Sequence, residues 1–326
     1  MQRSLLRRHA GIQLTQATES GSPNAIESEL PTGAAGSSPP SPTARRAERL
    51  LGKTGHRVLP VSLGGEGILR TTGRSREAVP VILEALRLGV RYCDTAPAYQ
   101  QSQDYYGMAF RAAGPAARGS VFLASKTHAR SRDGSLKLLD DSLRRLGTDH
   151  LDLWQLHDLR SFEEVDQIFG PGGAIEAVES AKRDRRVRFA GITGHYDPAV
   201  LVEALRRYPF DNVLCAINPA DRARLSFLET VVPVARLQQI GVVGMKVLGA
   251  GRIVEDGAAN SAELIRYGAS HADTVIIGCW TVEQVRANLS VAGQFTSMSP
   301  QELADLEARL EPVSSDYDDY KRCGSR

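Results

Sequence analysis

The sequence predicts a (β/α)8 barrel, or TIM barrel, preceded by a β-hairpin. Eight short apolar runs alternate with amphipathic helical patterns over about 270 residues. A doubly wound sheet is the alternative, but it would need fewer strands or a second domain, and no internal linker follows residue 50. We place the barrel at residues 47–313 and a short C-terminal tail at residues 314–326. The apolar runs lie at residues 60–64, 90–94, 121–125, 151–156, 187–192, 212–217, 241–247 and 274–278.

Residues 1–46 differ from the rest in composition, and we predict that they form a disordered N-terminal extension. They are rich in Ser, Pro, Gly, Ala and Thr, so they cannot bury enough apolar surface to offset the entropy of ordering. The first 18 residues contain three arginines and no acidic residue, as organellar transit peptides do, although a start assigned too far upstream explains the segment equally well. We expect a cytoplasmic protein, with an organellar location as the alternative.

The segments before, between and after the apolar runs contain residues that are typical of helix starts, helix ends and a hairpin turn. Residues 49–59 fit a β-hairpin with a Gly-containing turn. Apolar residues at helical spacing in segments 79–90 and 136–146 predict two amphipathic helices, and Gly147 is suited to end the second. Asp197 followed by Pro198 predicts another helix start. Further starts, each with a capping residue and a Glu or Gln three positions later, are predicted at Ser161, Asn260, Thr281 and Ser299.

Composition and charge argue against several classes of protein. Of the 326 residues, 42% are hydrophobic and 24% are charged, and the formal net charge is +2. This balance gives no reason to expect a nucleic acid or a membrane as partner. No apolar stretch reaches the roughly 18–20 residues that span a bilayer, so we expect a soluble protein. The four cysteines form no Cys-x-x-Cys pair and no iron–sulfur motif, so we name no metal ligands and expect free thiols in a reducing compartment.

Three of the apolar runs end at an ionisable residue, and a tyrosine follows the first of these. Asp94, Lys126 and His157 end the second, third and fourth predicted strands, and Tyr99 lies five residues beyond Asp94. Each residue alone has an ordinary explanation, since a lysine at a strand end is usually solvated and a lone tyrosine usually packs. Because the carboxyl ends of barrel strands converge on one face, we expect the four side chains to meet there.

A tyrosine held beside a lysine and a histidine is suited to donate a proton to a carbonyl oxygen. A nearby ammonium favours the phenolate, so we expect Lys126 to lower the pKa of Tyr99 below its usual value of about 10. Asp94 would keep a buried Lys126 charged, and His157 could donate a hydrogen bond that fixes the direction of the carbonyl. The hydride must come from a cofactor, because no side chain supplies one.

The local sequence around these residues resembles the aldo-keto reductase family. Asp94-Thr-Ala-Pro-Ala-Tyr99 is similar to the family's Asp-Thr-Ala-x-x-Tyr segment, and Leu151-Asp-Leu-Trp-Gln-Leu-His157 is similar to its Asp-Leu-Tyr-Leu-Leu-His strand. The likeness extends from about residue 48 to about residue 312. The Met-Lys-x-Leu-Gly stretch that begins at Met245 is similar to a divergent branch of the family, in which we also place the Gly-Ile-Thr-Gly-His segment of this chain.

The resemblance implies an NAD(P)(H)-dependent oxidoreductase that transfers a hydride between the nicotinamide cofactor, NADP(H) or NAD(H), and an aldehyde, ketone or sugar hydroxyl. Its catalytic tetrad would be Asp94, Tyr99, Lys126 and His157, with Tyr99 as general acid and base. Its partner would be a small-molecule carbonyl or sugar substrate, with no oligomeric state indicated. The positions that match cofactor-binding positions of the family are Thr193, Met245, Lys246, Leu248, Gly249, Gly251, Arg252, Gly278, Gln284 and Asn288.

Two of the cofactor positions depart from the family pattern in a way that bears on the choice of nucleotide. Gly278 and Gln284 stand where the family often has basic residues that bind the adenosine 2′-phosphate. The nearest basic replacements are Arg252 and Arg286. We therefore expect an unusually small preference for NADPH over NADH, or a reversed one.

Two other functions are compatible with such a chain. One is a non-catalytic, nucleotide-binding regulatory subunit, against which the intact tetrad argues. The other is a lyase or epimerase that uses the nucleotide without net redox turnover. Specificity resides in the barrel loops, so the fold does not name the substrate.

Overall fold

The computed structural model describes residues 48–321, in which eight parallel strands close into a barrel. The barrel strands pair in chain order, and the last pairs with the first through Val275 and Val61. The predicted barrel with its N-terminal hairpin is confirmed, whereas the predicted extension, residues 1–46, lies outside the described residues. The strands are β1 Arg49–Leu50, β2 Arg57–Val58, β3 Val61–Gly67, β4 Tyr92–Asp94, β5 Phe122–Thr127, β6 Leu151–Leu156, β7 Val187–Gly194, β8 Asn212–Ala216, β9 Gly241–Met245 and β10 Thr274–Cys279.

The α-helices follow the barrel strands and pack their apolar faces against the outside of the barrel. None of the helices within residues 48–321 has the length and apolar character of a membrane span. The helices are α1 Ser75–Arg87, α2 Ser102–Ala113, α3 Ala116–Gly119, α4 Arg132–Leu146, α5 Phe162–Phe169, α6 Ala174–Arg183, α7 Pro198–Arg207, α8 Phe227–Leu237, α9 Arg252–Glu255, α10 Ser261–His271, α11 Val282–Gly293 and α12 Pro300–Leu310.

The predicted helix signals are found at the helix ends. Asn260 and Ser299 each form a complete capping box, in which the side chain accepts from a backbone N–H and the Glu three residues later accepts from the cap. Ser161 and Thr281 cap α5 and α11 with their side chains alone. Gly147 ends α4 with φ of 66°, a left-handed conformation that favours glycine.

The hairpin fills the amino end of the barrel. Leu51 and Val58 are buried against Tyr92 and Phe122, the first residues of β4 and β5. Gly52 approaches the start of β9 so closely that a Cβ atom would lie 2.2 Å from the nitrogen of Gly241. Because apolar side chains occupy this end, the carboxyl end of the barrel is where polar chemistry can be placed.

Candidate active site

The four predicted catalytic side chains meet at the carboxyl end of the barrel. Asp94 is the last residue of β4, Lys126 is the penultimate residue of β5, and His157 follows β6 directly. Tyr99 lies in the loop before α2, where its carbonyl oxygen accepts a hydrogen bond of 2.9 Å from the nitrogen of Ser102. Parallel pairing of three neighbouring strands therefore brings residues distant in sequence into one cluster, as the sequence predicted.

A buried ion pair joins two members of the cluster. The Lys126 Nζ atom lies 2.5 Å from Asp94 Oδ2, and it also donates to the carbonyl oxygen of Thr95 at 3.0 Å. Neither side chain is more than 1% exposed. Burial raises the pKa of Asp94 and lowers the pKa of Lys126, and each partner opposes the shift of the other. The mutual attraction therefore favours the ionised form of both groups and opposes the effect of burial.

Tyr99 contacts two other members of the cluster, Lys126 through its ring and His157 through its ring and hydroxyl. The Lys126 Nζ atom lies 4.5 Å from the centroid of the Tyr99 ring. The Tyr99 hydroxyl lies 3.5 Å from His157 Nε2, and the two rings meet edge to face with centroids 5.6 Å apart. The hydroxyl is thus directed at the histidine, whereas the ammonium packs on the ring.

The predicted lowering of the pKa of Tyr99 is wrong for this structure. Burial raises the pKa of Tyr99 well above its usual value, and the carboxylates of Asp94 and Glu66 raise it further. The ammonium of Lys126 does not reverse this shift, because its hydrogen bonds go to Asp94 and the Thr95 carbonyl rather than to the phenol. Tyr99 is consequently a neutral phenol at neutral pH, which is the form that donates a proton.

His157 is also neutral. Burial is the main cause that lowers its pKa, to about 2, and the nearby charges of Lys126 and Arg130 lower it further. Its backbone nitrogen donates to the Thr127 carbonyl oxygen at 2.8 Å, and Arg130 Nη2 donates to its carbonyl oxygen at 3.0 Å. A neutral imidazole held in this way offers one N–H donor and one acceptor nitrogen to a substrate oxygen or to Tyr99.

Most of the predicted cofactor positions lie at the same end of the barrel, beyond the tetrad. Thr193 is the penultimate residue of β7 and Met245 is the last residue of β9. Lys246 follows β9 in the left-handed region, with φ of 56°, and it forms no ion pair with any residue between 48 and 321. The chain then passes through Leu248, Gly249 and Gly251 to Arg252, which is the first residue of α9. An unpaired ammonium beside a loop at the barrel mouth suits an anionic ligand.

The predicted positions after β10 are engaged in local contacts. Gln284 Oε1 accepts a hydrogen bond of 2.7 Å from the backbone nitrogen of Trp280, and Asn288 Nδ2 donates to Cys279 Sγ at 3.4 Å. A Cβ atom on Gly278 would lie 2.8 Å from the carbonyl carbon of Glu66. No longer side chain fits at Gly278 without a shift of the β3 backbone, so the basic residue of the family pattern has no room there.

Both basic candidates for a nucleotide phosphate already have carboxylate partners. Arg252 Nη1 lies 3.2 Å from Asp319 Oδ2, and Arg286 Nε lies 2.7 Å from Glu84 Oε1. A phosphate would have to displace one of these contacts. The structure therefore offers no free arginine at either predicted replacement.

Sequence reasoning missed two charged residues beside Tyr99. Glu66 precedes the last residue of β3, and Arg70 ends the 3-10 turn Ile68–Arg70 that follows. The guanidinium carbon of Arg70 lies 5.3 Å from the centroid of the Tyr99 ring. The signal that could have found Glu66 was its place in the strand, because β3 extends past the apolar run to Gly67 and puts a carboxylate at its carboxyl end.

The C-terminal tail, predicted from sequence only as short, carries contacts that no motif indicated. Lys321 Nζ lies 2.7 Å from Asp221 Oδ1, and both side chains are buried. Tyr320 donates a hydrogen bond of 3.1 Å to the same carboxylate and accepts one of 3.1 Å from Asn218 Nδ2. Its ring meets that of His195, which follows β7, at 5.6 Å. The tail thereby covers the β7 and β8 side of the barrel mouth.

Comparisons with known proteins identify a family and several relatives of this chain. The model of the Aldo/keto reductase family matches residues 61–264. The chain is 28% identical over 313 residues to L-galactose dehydrogenase of Arabidopsis thaliana, which covers 82% of this chain and 95% of that protein. It is 26% identical over 256 residues to the uncharacterized oxidoreductase YqkF of Bacillus subtilis, covering 73% and 79% of the two chains. The holo form of aldo-keto reductase AKR11C1 from Bacillus halodurans shares the fold, with a TM-score of 0.67, 22% identity and coverage of 81% and 96%.

The buried ion pair between Lys126 and Asp94 leads to a prediction about stability. Lys126→Met leaves the Asp94 carboxylate buried without its partner, and we expect the free energy of unfolding to fall by about 3–5 kcal/mol. The double variant Asp94→Asn/Lys126→Met removes both charges and should lose less than Lys126→Met alone. Urea unfolding at pH 7 measures all three proteins.

A matched control is the exposed ion pair between Arg57 and Glu48, whose atoms lie 3.4 Å apart. Arg57→Met should change stability by about 0–1 kcal/mol, because solvent screens such pairs. A double variant at least as unstable as Lys126→Met would contradict the view that an unpaired buried charge causes the loss.

Proposed function

The chain belongs to the aldo/keto reductase family and is an NAD(P)H-dependent oxidoreductase, and we propose that it reduces the carbonyl of an aldehyde, ketone or sugar with Tyr99 as the proton donor. The observation that carries the proposal is the neutral phenol of Tyr99, placed 3.5 Å from His157 Nε2 and stacked on the ammonium of Lys126. The same residue would accept the proton when the corresponding hydroxyl is oxidised.

Each member of the tetrad has a separate part in the proposed proton transfer. Tyr99 and the neutral imidazole of His157 would both direct a hydrogen to the carbonyl oxygen, so they fix its position. Tyr99 then gives up its proton as negative charge develops on that oxygen. The ammonium of Lys126 lies close enough to stabilise the phenolate that remains. Asp94 keeps that ammonium charged in its buried position.

The residues at the mouth fit a nicotinamide nucleotide. Lys246, which has no ion pair among the described residues, would hold the pyrophosphate, because an ammonium is a good point-charge partner for phosphate. Met245 is half-buried and offers a polarisable thioether for packing on the nicotinamide ring, with Thr193 as a hydroxyl for its carboxamide. When bound, the nucleotide supplies the hydride.

The intact tetrad favours this function over a regulatory subunit, and product analysis separates it from a lyase or epimerase. A non-catalytic regulatory subunit would have no need for a buried Lys126 and Asp94 beside a tyrosine hydroxyl. A lyase or epimerase would regenerate its nucleotide, so product analysis with substoichiometric cofactor separates it from a reductase.

The experiment that tests the proposal is Tyr99→Phe. Loss of the proton donor should reduce kcat for aldehydes by roughly 10²–10⁴-fold, as is typical when a general acid is removed. Binding of the nucleotide should persist, because the phenol is not among the proposed cofactor contacts. Steady-state kinetics with a panel of reactive aldehydes and fluorescence titration of the nucleotide give both readouts.

Tyr106→Phe is the matched control for this variant. Tyr106 is fully buried, and its hydroxyl pairs with the buried thiol of Cys93 rather than with a residue of the tetrad. Removing that hydroxyl should leave kcat within about twofold of the wild type, because its hydrogen bond goes to no residue of the tetrad. Near-normal turnover by Tyr99→Phe would make the assignment wrong.

The engaged arginines lead to a prediction about the cofactor. A charge-assisted bond to phosphate contributes roughly 1.5–3 kcal/mol, or about ten- to a hundredfold in affinity. With Arg252 paired to Asp319, and no side chain at Gly278, we expect the dissociation constants of NADPH and NADH to differ by less than about tenfold. Titration of both nucleotides against the protein measures the ratio.

Asp319→Asn sharpens this test because it releases Arg252 from its carboxylate. This variant should strengthen NADPH binding by up to about fivefold, because an exposed ion pair contributes only about 0–1 kcal/mol, and leave NADH binding nearly unchanged. A wild-type preference for NADPH of a thousandfold or more would show that another cation already binds the phosphate.

A further inference from the structure

The end of β3 is held rigidly beside Tyr99. A Cβ atom on Gly65 would lie 2.8 Å from Tyr99 Cδ2, so the strand backbone is packed directly on the tyrosine ring. Gly67 turns the chain with φ of 68°, and a Cβ atom there would lie 2.6 Å from the carbonyl oxygen of Cys279. Ile68 and Leu69 are buried just beyond this turn. The backbone positions of Glu66 and Arg70, on either side of the turn, are therefore fixed at the barrel mouth.

These two residues form an ion pair that differs in exposure from the pair between Lys126 and Asp94. Arg70 Nη1 lies 3.0 Å from Glu66 Oε1, and the two side chains are 47% and 44% exposed. This is the only hydrogen bond that either side chain makes among residues 48–321. The guanidinium of Arg70 also lies over the Tyr99 ring. The guanidinium has five N–H donors in all, so further donors and the second carboxylate oxygen stay available at the mouth.

The pair also acts electrostatically on the proton donor. The carboxylate of Glu66 raises the pKa of Tyr99 and the guanidinium of Arg70 lowers it, so both lie within reach of the phenol. The other charged or titratable groups that face Tyr99 are Asp94, Lys126, His157 and Asp158. Lys126 and Asp94 are fully buried and paired with each other. Glu66 and Arg70, on β3 and the turn that follows it, are partly exposed, so a substrate can reach them.

From this placement we infer that Glu66 and Arg70 bind a hydroxyl group next to the substrate carbonyl and so select hydroxylated aldehydes and ketones. The inference rests on the proposed role of Tyr99, because that role fixes where the carbonyl lies. A hydroxyl can donate to the carboxylate and accept from the guanidinium at once. A purely aliphatic chain would displace the water that solvates both charged groups, and it would replace none of the hydrogen bonds made by that water.

Glyceraldehyde and propanal test the inference, since both have three carbons and only one carries hydroxyls. We expect the wild type to favour glyceraldehyde by at least about tenfold in kcat/KM, expressed per concentration of free aldehyde. Glu66→Gln and Arg70→Met should each lower kcat/KM for glyceraldehyde by about ten- to a hundredfold, with a change of less than about threefold for propanal. The ratio between the substrates cancels any effect of the lost charge on Tyr99 itself.

The exposed pair between Arg74 and Glu77 provides matched controls. Its atoms lie 3.3 Å apart, its side chains are 49% and 50% exposed, and it lies at the start of α1. Glu77→Gln and Arg74→Met should leave the substrate ratio unchanged.

Two results would overturn the inference. One is a wild type with no preference, and the other is variants that keep the wild-type ratio, including variants that lose activity equally on both aldehydes. Failure of the wild type to reduce either aldehyde would instead contradict the proposed function, and the inference with it.

Discussion

The ion pair between Lys126 and Asp94 is the contact on which the arrangement of the site depends. Both groups are buried at the ends of neighbouring strands, where an unpaired charge would be strongly unfavourable. Each partner therefore needs the other, and the pairing fixes the ammonium under the ring of Tyr99. The pair does not make the phenol acidic, because its charges are largely satisfied by each other. It leaves the tyrosine neutral and, in the proposed proton transfer, would provide a cation close to the phenolate.

The closed barrel explains why such a cluster can be built from distant parts of the chain. Neighbouring parallel strands deliver Asp94, Lys126 and His157 to one end, while the hairpin fills the other end with apolar side chains. The polar groups of the mouth then fall on two sides. The tetrad lies at the ends of β4 to β6, whereas the unpaired Lys246 and the docked Tyr320 lie at the ends of β7 to β9. A nucleotide on the second side would face a carbonyl on the first.

Much of this could be predicted from the sequence. Apolar runs of strand length predicted the barrel. The ionisable residues that end three of these runs, with the tyrosine that follows the first, predicted the tetrad, since both signals are local. The pKa of Tyr99 could not be predicted, because it depends on burial and on Glu66, which lies 33 positions away. The buried pair of Lys321 with Asp221 joins residues 100 positions apart and leaves no periodic signal. The carboxylate partners of Arg252 and Arg286 could not be predicted from the sequence either, because ion pairs between separate elements follow from packing alone.

The central claim is that a neutral Tyr99 phenol beside a neutral His157 donates the proton. The single-turnover rate of reduction of 4-nitrobenzaldehyde, measured against pH with saturating reduced nucleotide, tests it most directly. With the pKa of Tyr99 raised well above 10 and that of His157 lowered to about 2, both groups keep their protonation state through the neutral range. The rate constant should therefore stay within about twofold between about pH 5.5 and 8.5. A tenfold fall across that interval, with an apparent pKa near about 7, would show that a different group donates the proton and would contradict the account.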